Sequence, residues 1–389
     1  MRKGPVTQDC DKLCPIMEPT NGFNSIVVKL GTSTLTAGTS YLSPARMVEL
    51  VRQVAQLHNQ GCKVVLVSSG AMAAGRERLA FPQLPKAIPA KQMLSAVGQP
   101  RLMALYEQLF DIYKLPVAQV LLTRTDLADR SRYLNSRNTL SALLSQRVIP
   151  IINENDTVAT EEIRLGDNDN LSALVANLIE ADLLVMLTDQ PGLFTADPRS
   201  DPSAELIHAI TGPTIPQSVW EAVGGTAGKL GTGGMFTKLQ AADLARRSGT
   251  AVVIASGEEQ NVLTRLAAGE ALGTRFSALA TTLEGRKRYI LAGGNRLSGT
   301  LVVDAGARLA LRRGSSLLPV GVKKVTGTFD CGDTVKVVDS SGSEIARGLV
   351  NYNAADLARI AGKQSKEIEA ILGADYDDEV IHRNNLVLL

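Results

Sequence analysis

Two clusters of amides and carboxylates stand where a buried strand ends and a helix begins. Val148-Ile149-Pro150-Ile151-Ile152 empties into Asn153-Glu154-Asn155-Asp156-Thr157. Ten residues on, Gly166-Asp167-Asn168-Asp169-Asn170 leads into the helix-like run Leu171-Ser172-Ala173-Leu174-Val175-Ala176-Asn177-Leu178. A carboxylate accepts from an ammonium and an amide bonds to either charged end, so such residues can hold a small zwitterion. Either cluster alone reads as an Asn/Asp-rich turn. Two of them at the carboxyl end of one sheet read as a ligand site, because open parallel sheets bind ligands there.

Three further segments could meet a nucleotide. Lys29-Leu30-Gly31-Thr32-Ser33 puts a lysine at the end of a strand and a small-residue loop after it. Backbone N–H groups in such loops face phosphate oxygens, and the lysine adds a point charge. Leu230-Gly231-Thr232-Gly233-Gly234-Met235-Phe236-Thr237-Lys238 is a second glycine-rich loop, running into a helix through Leu239 to Arg247. Flexible backbone with a lysine at a helix start suits β- and γ-phosphates. Thr188-Asp189-Gln190-Pro191-Gly192-Leu193-Phe194-Thr195-Ala196-Asp197-Pro198 follows a buried strand and would by itself pass as a turn. Gly70 to Gly75 has the glycine spacing of a P-loop, but Arg76-Glu77 stands where Lys and Ser/Thr are needed, which excludes that motif. His58, His208 and His382 are dispersed, and none adjoins the acidic clusters, so no histidine-based mechanism is expected.

These residues need a scaffold, and the first two-thirds of the chain alternates strand and helix patterns. Ser25 to Leu30, Lys63 to Val67, Leu183 to Leu187 and Thr250 to Ala255 are near-continuous apolar runs. They predict an α/β fold with an open, mainly parallel sheet covered by helices on both faces. Ser43 with Pro44 behind it marks a helix start, and Met47, Leu50, Val51, Val54 and Leu57 form its apolar face. After about residue 277 short strand-like runs crowd together: Thr300–Val303, Gly321–Val325, Thr334–Val338 and Ile345–Val350, with a turn at Ser340 to Ser343. Asn353 and Asp356 cap a short helix. The expected division is a tail over 1–22, a main domain over 23–276, a linker over 277–296, a small β-rich domain over 297–373 and a C-terminal tail over 374–389.

Length, charge and cysteines restrict the classes. A chain of 389 residues is long enough for two domains. The net charge of +2 gives no reason to expect a polyanion partner. No apolar run reaches the roughly 18–20 residues that cross a bilayer. Arg2 and Lys3 are followed by Asp9, Asp11 and Lys12 where a signal peptide needs an apolar core. Residues 1–22 read as disordered, and Met17 offers a second start. Four scattered cysteines, Cys10, Cys14, Cys62 and Cys331, read as thiols of a reducing cytoplasm rather than a zinc site.

In order and spacing, these motifs resemble the amino acid kinase family over about residues 25–373, with a C-terminal part similar to a PUA domain. The Thr188–Pro198 segment resembles a nucleotide-binding turn found across that family. Val28 to Ser33, Asn153 to Asp156, Gly166 to Asn170 and Gly231 to Met235 resemble the branch that phosphorylates the side-chain carboxylate of L-glutamate, the first step of proline synthesis. The resemblance implies Lys29 and Lys238 beside the transferred phosphoryl group, with Asp169 orienting both. It implies glutamate held by Ser69, Asp156, Asn168 and Asn153. It places ATP on Lys29, Gly31, Thr32, Thr188, Asp189, Gly231, Thr232, Gly233, Gly234, Met235, Phe236, Thr237 and Lys238. Magnesium is expected to arrive with ATP on phosphates and waters, with no protein ligand named. Feedback inhibition by proline and a homotetramer are also what the resemblance implies.

Two rival readings follow. Another acceptor of the same family, such as aspartate, N-acetylglutamate, carbamate or a nucleoside monophosphate, is the first. An N-acetyl substrate has no ammonium and would leave Asp156 without a purpose. The second is an RNA-binding protein acting through the C-terminal domain. Residues 297–372 carry ten basic and eight acidic side chains, well short of the basic stripe an RNA surface needs. An architectural or regulatory role is preferred for that domain.

Overall fold

The computed structural model describes residues 23–85, 87–159, 168–224, 234–279, 299–373 and 378–389. The tail expected over 1–22 and residues 280–296 of the linker expected over 277–296 lie outside them. The larger body contains strands β1 (Ser25–Leu30), β2 (Lys63–Ser68), β3 (Val117–Leu122), β4 (Ile149–Glu154), β5 (Leu183–Thr188), β6 (Leu193–Phe194), β7 (Leu206–Ile207), β8 (Ala209–Ile210), β9 (Ala251–Ser256) and β10 (Thr274–Phe276). Eight of them form one sheet in the order β3-β4-β2-β1-β5-β9-β10-β8, and β6 and β7 make a separate ribbon. From β3 to β9 the strands are parallel, as their apolar runs require. At one edge β10 turns antiparallel to β9, and β8 runs with β10. The order reverses about β1, which has the second strand on one side and the fifth on the other. Such a switch point opens a crevice at the carboxyl ends of the strands.

Alternation along β1 decides which face each side chain serves. Ile26, Val28 and Leu30 pack into one core layer with Met47, Leu50 and Val54 of helix Pro44–Asn59. Val27 joins the opposite layer with Val65, Val67 and residues of helices Asn168–Leu178 and Met235–Arg247. Lys29 falls on the Val27 side, at the end of the strand, and so reaches the two helices that carry Asp169 and Lys238. Helix Pro44–Asn59 starts as expected: the Ser43 hydroxyl accepts from the Arg46 N–H at 3.4 Å, with Pro44 in the first turn.

Gly75 has a packing role. Helix Ala71–Arg78 crosses helix Ile88–Asp111 so closely that a Cβ at Gly75 would lie 1.9 Å from the Leu94 carbonyl oxygen. A Cβ at Gly98 would lie 1.8 Å from the Ala71 carbonyl oxygen. The spacing that imitates a P-loop therefore serves a backbone-to-backbone contact between helices.

The second body is a five-stranded sheet in the order β12-β11-β13-β14-β15. Its strands are β11 (Gly299–Val303), β12 (Val322–Gly327), β13 (Thr334–Val338), β14 (Glu344–Leu349) and β15 (Leu386–Leu388). The core gathers Leu301, Val337, Tyr352 and Leu357. Asn353 caps helix Ala354–Ile360 by accepting from the Asp356 N–H at 2.8 Å. The segment expected as a tail from 374 needs correction, because β15 pairs antiparallel with β14 and extends the sheet. Its three residues are too few for strand periodicity to show, although Leu386 and Val387 are buried. Arg137 of the larger body ties the two together: it meets Glu180 at 2.6 Å and donates to the Asn385 side-chain oxygen.

Candidate active site

One carboxylate gathers both lysines. Asp169, in the first turn of helix Asn168–Leu178, is only 2% exposed. Its Oδ1 lies 2.6 Å from Lys29 Nζ, and its Oδ2 lies 3.2 Å from Lys238 Nζ. The Thr237 hydroxyl donates to the same Oδ2 at 2.7 Å. Burial alone would raise this carboxyl, but the two ammonium groups, with hydrogen bonds from Lys29 and Thr237, outweigh it and hold it at about 2. The group is therefore an anion at every physiological pH, and it aims two cations at one place.

Beside this cluster lies a connected set of amides. Asn168 Nδ2 donates to Asn153 Oδ1 at 3.0 Å and to Ser69 Oγ at 3.0 Å. Asn153 Oδ1 also accepts from the Glu154 N–H at 2.9 Å, and its Nδ2 donates to Gln99 Oε1 at 2.8 Å. Asn168 Oδ1 is buried and has no hydrogen-bond partner among the described residues. Asp156 follows β4 in a half-buried turn. Burial pushes its carboxyl up, with the Ser95 hydroxyl pulling partly the other way.

Of the residues expected on the nucleotide side, Lys29, Thr237 and Lys238 reach Asp169. Gly31 is the N-cap of the five-residue helix Thr32–Thr36, in which Thr32 is exposed. Thr188 closes β5 and donates from Oγ1 to Asp189 Oδ1 at 2.9 Å. Beyond it, β6 folds against β7, and the Leu193 N–H bonds to Thr274 Oγ1 at 2.8 Å. Gly234 caps helix Met235–Arg247, which carries Met235, Phe236, Thr237 and Lys238 in its first turns. Phe236 meets Trp220 edge to face with ring centroids 5.7 Å apart. Gly231, Thr232 and Gly233, like Gly166 and Asp167, lie outside the described residues.

Two ammonium groups held on one carboxylate beside a connected set of amides are groups that can draw two anions together. Residues 24–256 match the amino acid kinase family and residues 299–372 match the PUA domain. The chain is 56% identical to a glutamate 5-kinase of Photobacterium profundum, over 94% of this chain and 96% of that one. It is 54% identical to a glutamate 5-kinase of Shewanella sediminis over 95% and 98% of the two chains. A glutamate 5-kinase of Vibrio campbellii is 55% identical over 94% and 96%. The chain belongs to the glutamate 5-kinase family. The UMP kinase of Bacillus anthracis aligns with 67% of this chain and 98% of its own at 14% identity and a TM-score of 0.44, too low to add to that.

Within this family member the structure adds residues that motif reading passed over. Helix Ile88–Asp111 turns Gln92, Ser95 and Gln99 toward the first acidic cluster. Gln92 Nε2 donates to the Thr157 and Ala159 carbonyls at 3.2 Å each. The three are spaced i, i+3 and i+7, which puts them on one helical face. That polar stripe was the available signal. Ser68 is buried and shares a 2.8 Å hydrogen bond with the Tyr106 hydroxyl.

Proposed function

We infer that the chain transfers the γ-phosphoryl group of ATP to the side-chain carboxylate of L-glutamate, giving L-glutamyl 5-phosphate, the opening step of proline synthesis. The observation that carries the reading is Asp169 holding Lys29 and Lys238 together at the carboxyl end of the sheet, next to the amide set. An acceptor carboxylate is already ionised at pH 7, so no general base is required. The obstacle is repulsion between an anion and a polyanion. Positioning and charge neutralisation answer it. Lys29 and Lys238 flank the moving phosphoryl group, and Asp169 fixes their directions. Gly31, Thr32 and the Gly231–Gly234 loop meet phosphates through backbone N–H groups, and Met235, Phe236 and Thr237 continue that wall. Thr188 and Asp189 face the nucleotide. Ser69, Asn153, Asp156 and Asn168 serve the amino acid.

The nucleotide enters as its magnesium complex. Among the described residues no group of three or more His, Cys, Asp or Glu side chains is gathered to hold a metal. Both Asp169 oxygens face lysines, so phosphates and water are the fitting ligands for magnesium. Proline as feedback inhibitor, a homotetramer and a cytoplasmic site of action extend the same reading. Among the described residues no helix is long and apolar enough to cross a membrane. The C-terminal domain is assigned an architectural or regulatory part, with RNA binding the lesser reading.

ADP release that needs both ATP and L-glutamate tests the reaction. Trp220, the chain's single tryptophan, supplies a second readout through Phe236. Its fluorescence should respond to ATP with magnesium and not to L-glutamate alone. A response to glutamate and none to ATP would take Phe236 off the nucleotide side.

Asp156→Asn separates the two substrates. Losing a charge-assisted hydrogen bond to the α-ammonium costs roughly 1.5–3 kcal/mol, about ten- to a hundredfold in glutamate KM. ATP KM should hold. The unliganded variant should also melt higher near pH 7. A carboxyl whose folded pKa is raised favours the fold when protonated, and that advantage is lost as pH rises through its folded value. Asparagine removes the buried charge, and the gain in Tm should vanish below about pH 4, where aspartate is protonated in both states. A rise in ATP KM at constant glutamate KM would instead give the first cluster to the nucleotide.

A further inference from the structure

We propose that Gln99 is a positioning residue for the amino-acid subsite, and that the amide chain Gln99–Asn153–Asn168 makes this subsite select a hydrogen-bond donor on the substrate's α-carbon. The inference rests on the glutamate reading above and names residues and a polarity that reading does not require.

The Glu154 backbone N–H can only donate, so the Asn153 atom 2.9 Å from it must be the oxygen. The other end of Asn153 is then the NH2 group, and Gln99 must turn its Oε1 toward it, as found at 2.8 Å. Asn153 Oδ1 has its second lone pair on Asn168, so the facing atom of Asn168 must be Nδ2. The remaining Nδ2 hydrogen of Asn168 goes to Ser69 Oγ at 3.0 Å, with the Ser68 carbonyl a longer second acceptor at 3.4 Å. Two groups are left over. Among the described residues Asn168 Oδ1 is a buried acceptor without a partner, and such an atom costs free energy unless a ligand supplies a donor. Ser69 Oγ has accepted from Asn168, which leaves its own hydrogen to donate. An acceptor beside a donor matches an α-ammonium beside an α-carboxylate. An α-keto acid would set its carbonyl oxygen against Asn168 Oδ1, oxygen to oxygen.

Gln99 holds the far end of this chain from helix Ile88–Asp111, where Gln92 clasps the turn after Asp156 on the same face. Gln99 Nε2 is oriented in turn by Gln119 Oε1 at 3.4 Å. Without an acceptor at position 99, the Asn153 NH2 loses its partner and Asn153 no longer has one preferred setting under Asn168. Gln99 is half-buried, so its replacement leaves the core intact.

The test compares Gln99→Leu with Gln99→Glu, the second keeping an oxygen for Asn153 to donate to. Gln99→Leu should raise glutamate KM by about three- to tenfold, the size of one hydrogen bond in a partly buried site. ATP KM and kcat should stay within about twofold, and Gln99→Glu should bring glutamate KM back to within about twofold of the unchanged protein. The unchanged protein should accept L-glutamate and reject 2-oxoglutarate. Unchanged glutamate KM in Gln99→Leu, or equal damage in both variants, would overturn the role of Gln99, as would a change confined to ATP KM. Turnover of 2-oxoglutarate at a rate near that of glutamate would overturn the polarity. If the unchanged protein consumed ATP with a different acceptor and none with L-glutamate, the glutamate reading itself would fall. The variant comparison, made on whichever acceptor carries an α-ammonium, would still judge the amide chain. Absence of any such acceptor would overturn both.

Discussion

Replacing Lys29 with alanine should lower kcat by about two orders of magnitude or more, while glutamate KM moves much less. The same is expected of Lys238→Ala. Each ammonium lies within 3.2 Å of one Asp169 oxygen and is nearly withdrawn from solvent, so its charge acts with little screening. Negative charge shifts between oxygens as the phosphoryl group passes, and a fixed cation favours the point of transfer over the start. Losing one lysine removes that preference and leaves ground-state binding of glutamate to other groups. Steady-state rates of ADP release, with each substrate varied in turn, decide the matter. A variant that retained most of its kcat would remove that lysine from the chemistry.

Asp169→Asn should be the most damaging single change, in both rate and stability. Two ammonium groups converge on this carboxylate, and asparagine would leave them facing each other with no counter-charge. Removing one partner of a buried ion pair typically costs about 3–5 kcal/mol. The kcat should fall at least as far as for either lysine variant, because both cations lose their aim. Stability should carry a pH signature. Asp169 titrates near 2 in the fold, below the ordinary aspartate value of 3.8, so its contribution is fully present above about pH 4 and lost as pH falls toward 2. Denaturant melts of the two proteins should differ by a constant amount from pH 7 to about pH 5 and converge at lower pH. A gap that stayed constant down to pH 2 would mean that Asp169 does not hold its charge through the lysines.

Much of this arrangement is written in local pattern. The parallel strands show as apolar runs because both their faces are covered. The place of Lys29 follows from alternation alone, since it shares the Val27 side of β1. The antiparallel edge was hidden because β8 and β10 contain only two and three residues. The strand Leu386–Leu388 was hidden for the same reason. Helix Ile88–Asp111 is harder to read: Gly98 and Pro100 break its pattern, and Gln92 and Gln99 of its polar stripe bond to Asn153, Thr157 and Ala159 at and beyond the end of β4. Gly75 shows the converse, a glycine whose spacing suggested chemistry but whose work is contact between helices. The Thr237 hydroxyl reaches Asp169, a contact between residues 68 positions apart that no local pattern encodes.

The central claim is transfer to a side-chain carboxylate of an unblocked amino acid. Trapping with hydroxylamine tests it most directly, because an acyl phosphate reacts to a hydroxamate while ADP release alone does not report the acceptor. The full chain, supplied with ATP and magnesium, should form hydroxamate rapidly from L-glutamate. L-aspartate, one methylene shorter, should react poorly, and N-acetylglutamate, which has no ammonium for Asp156 or Asn168, should not react. Hydroxamate from N-acetylglutamate at a rate matching or exceeding that from L-glutamate would contradict the account.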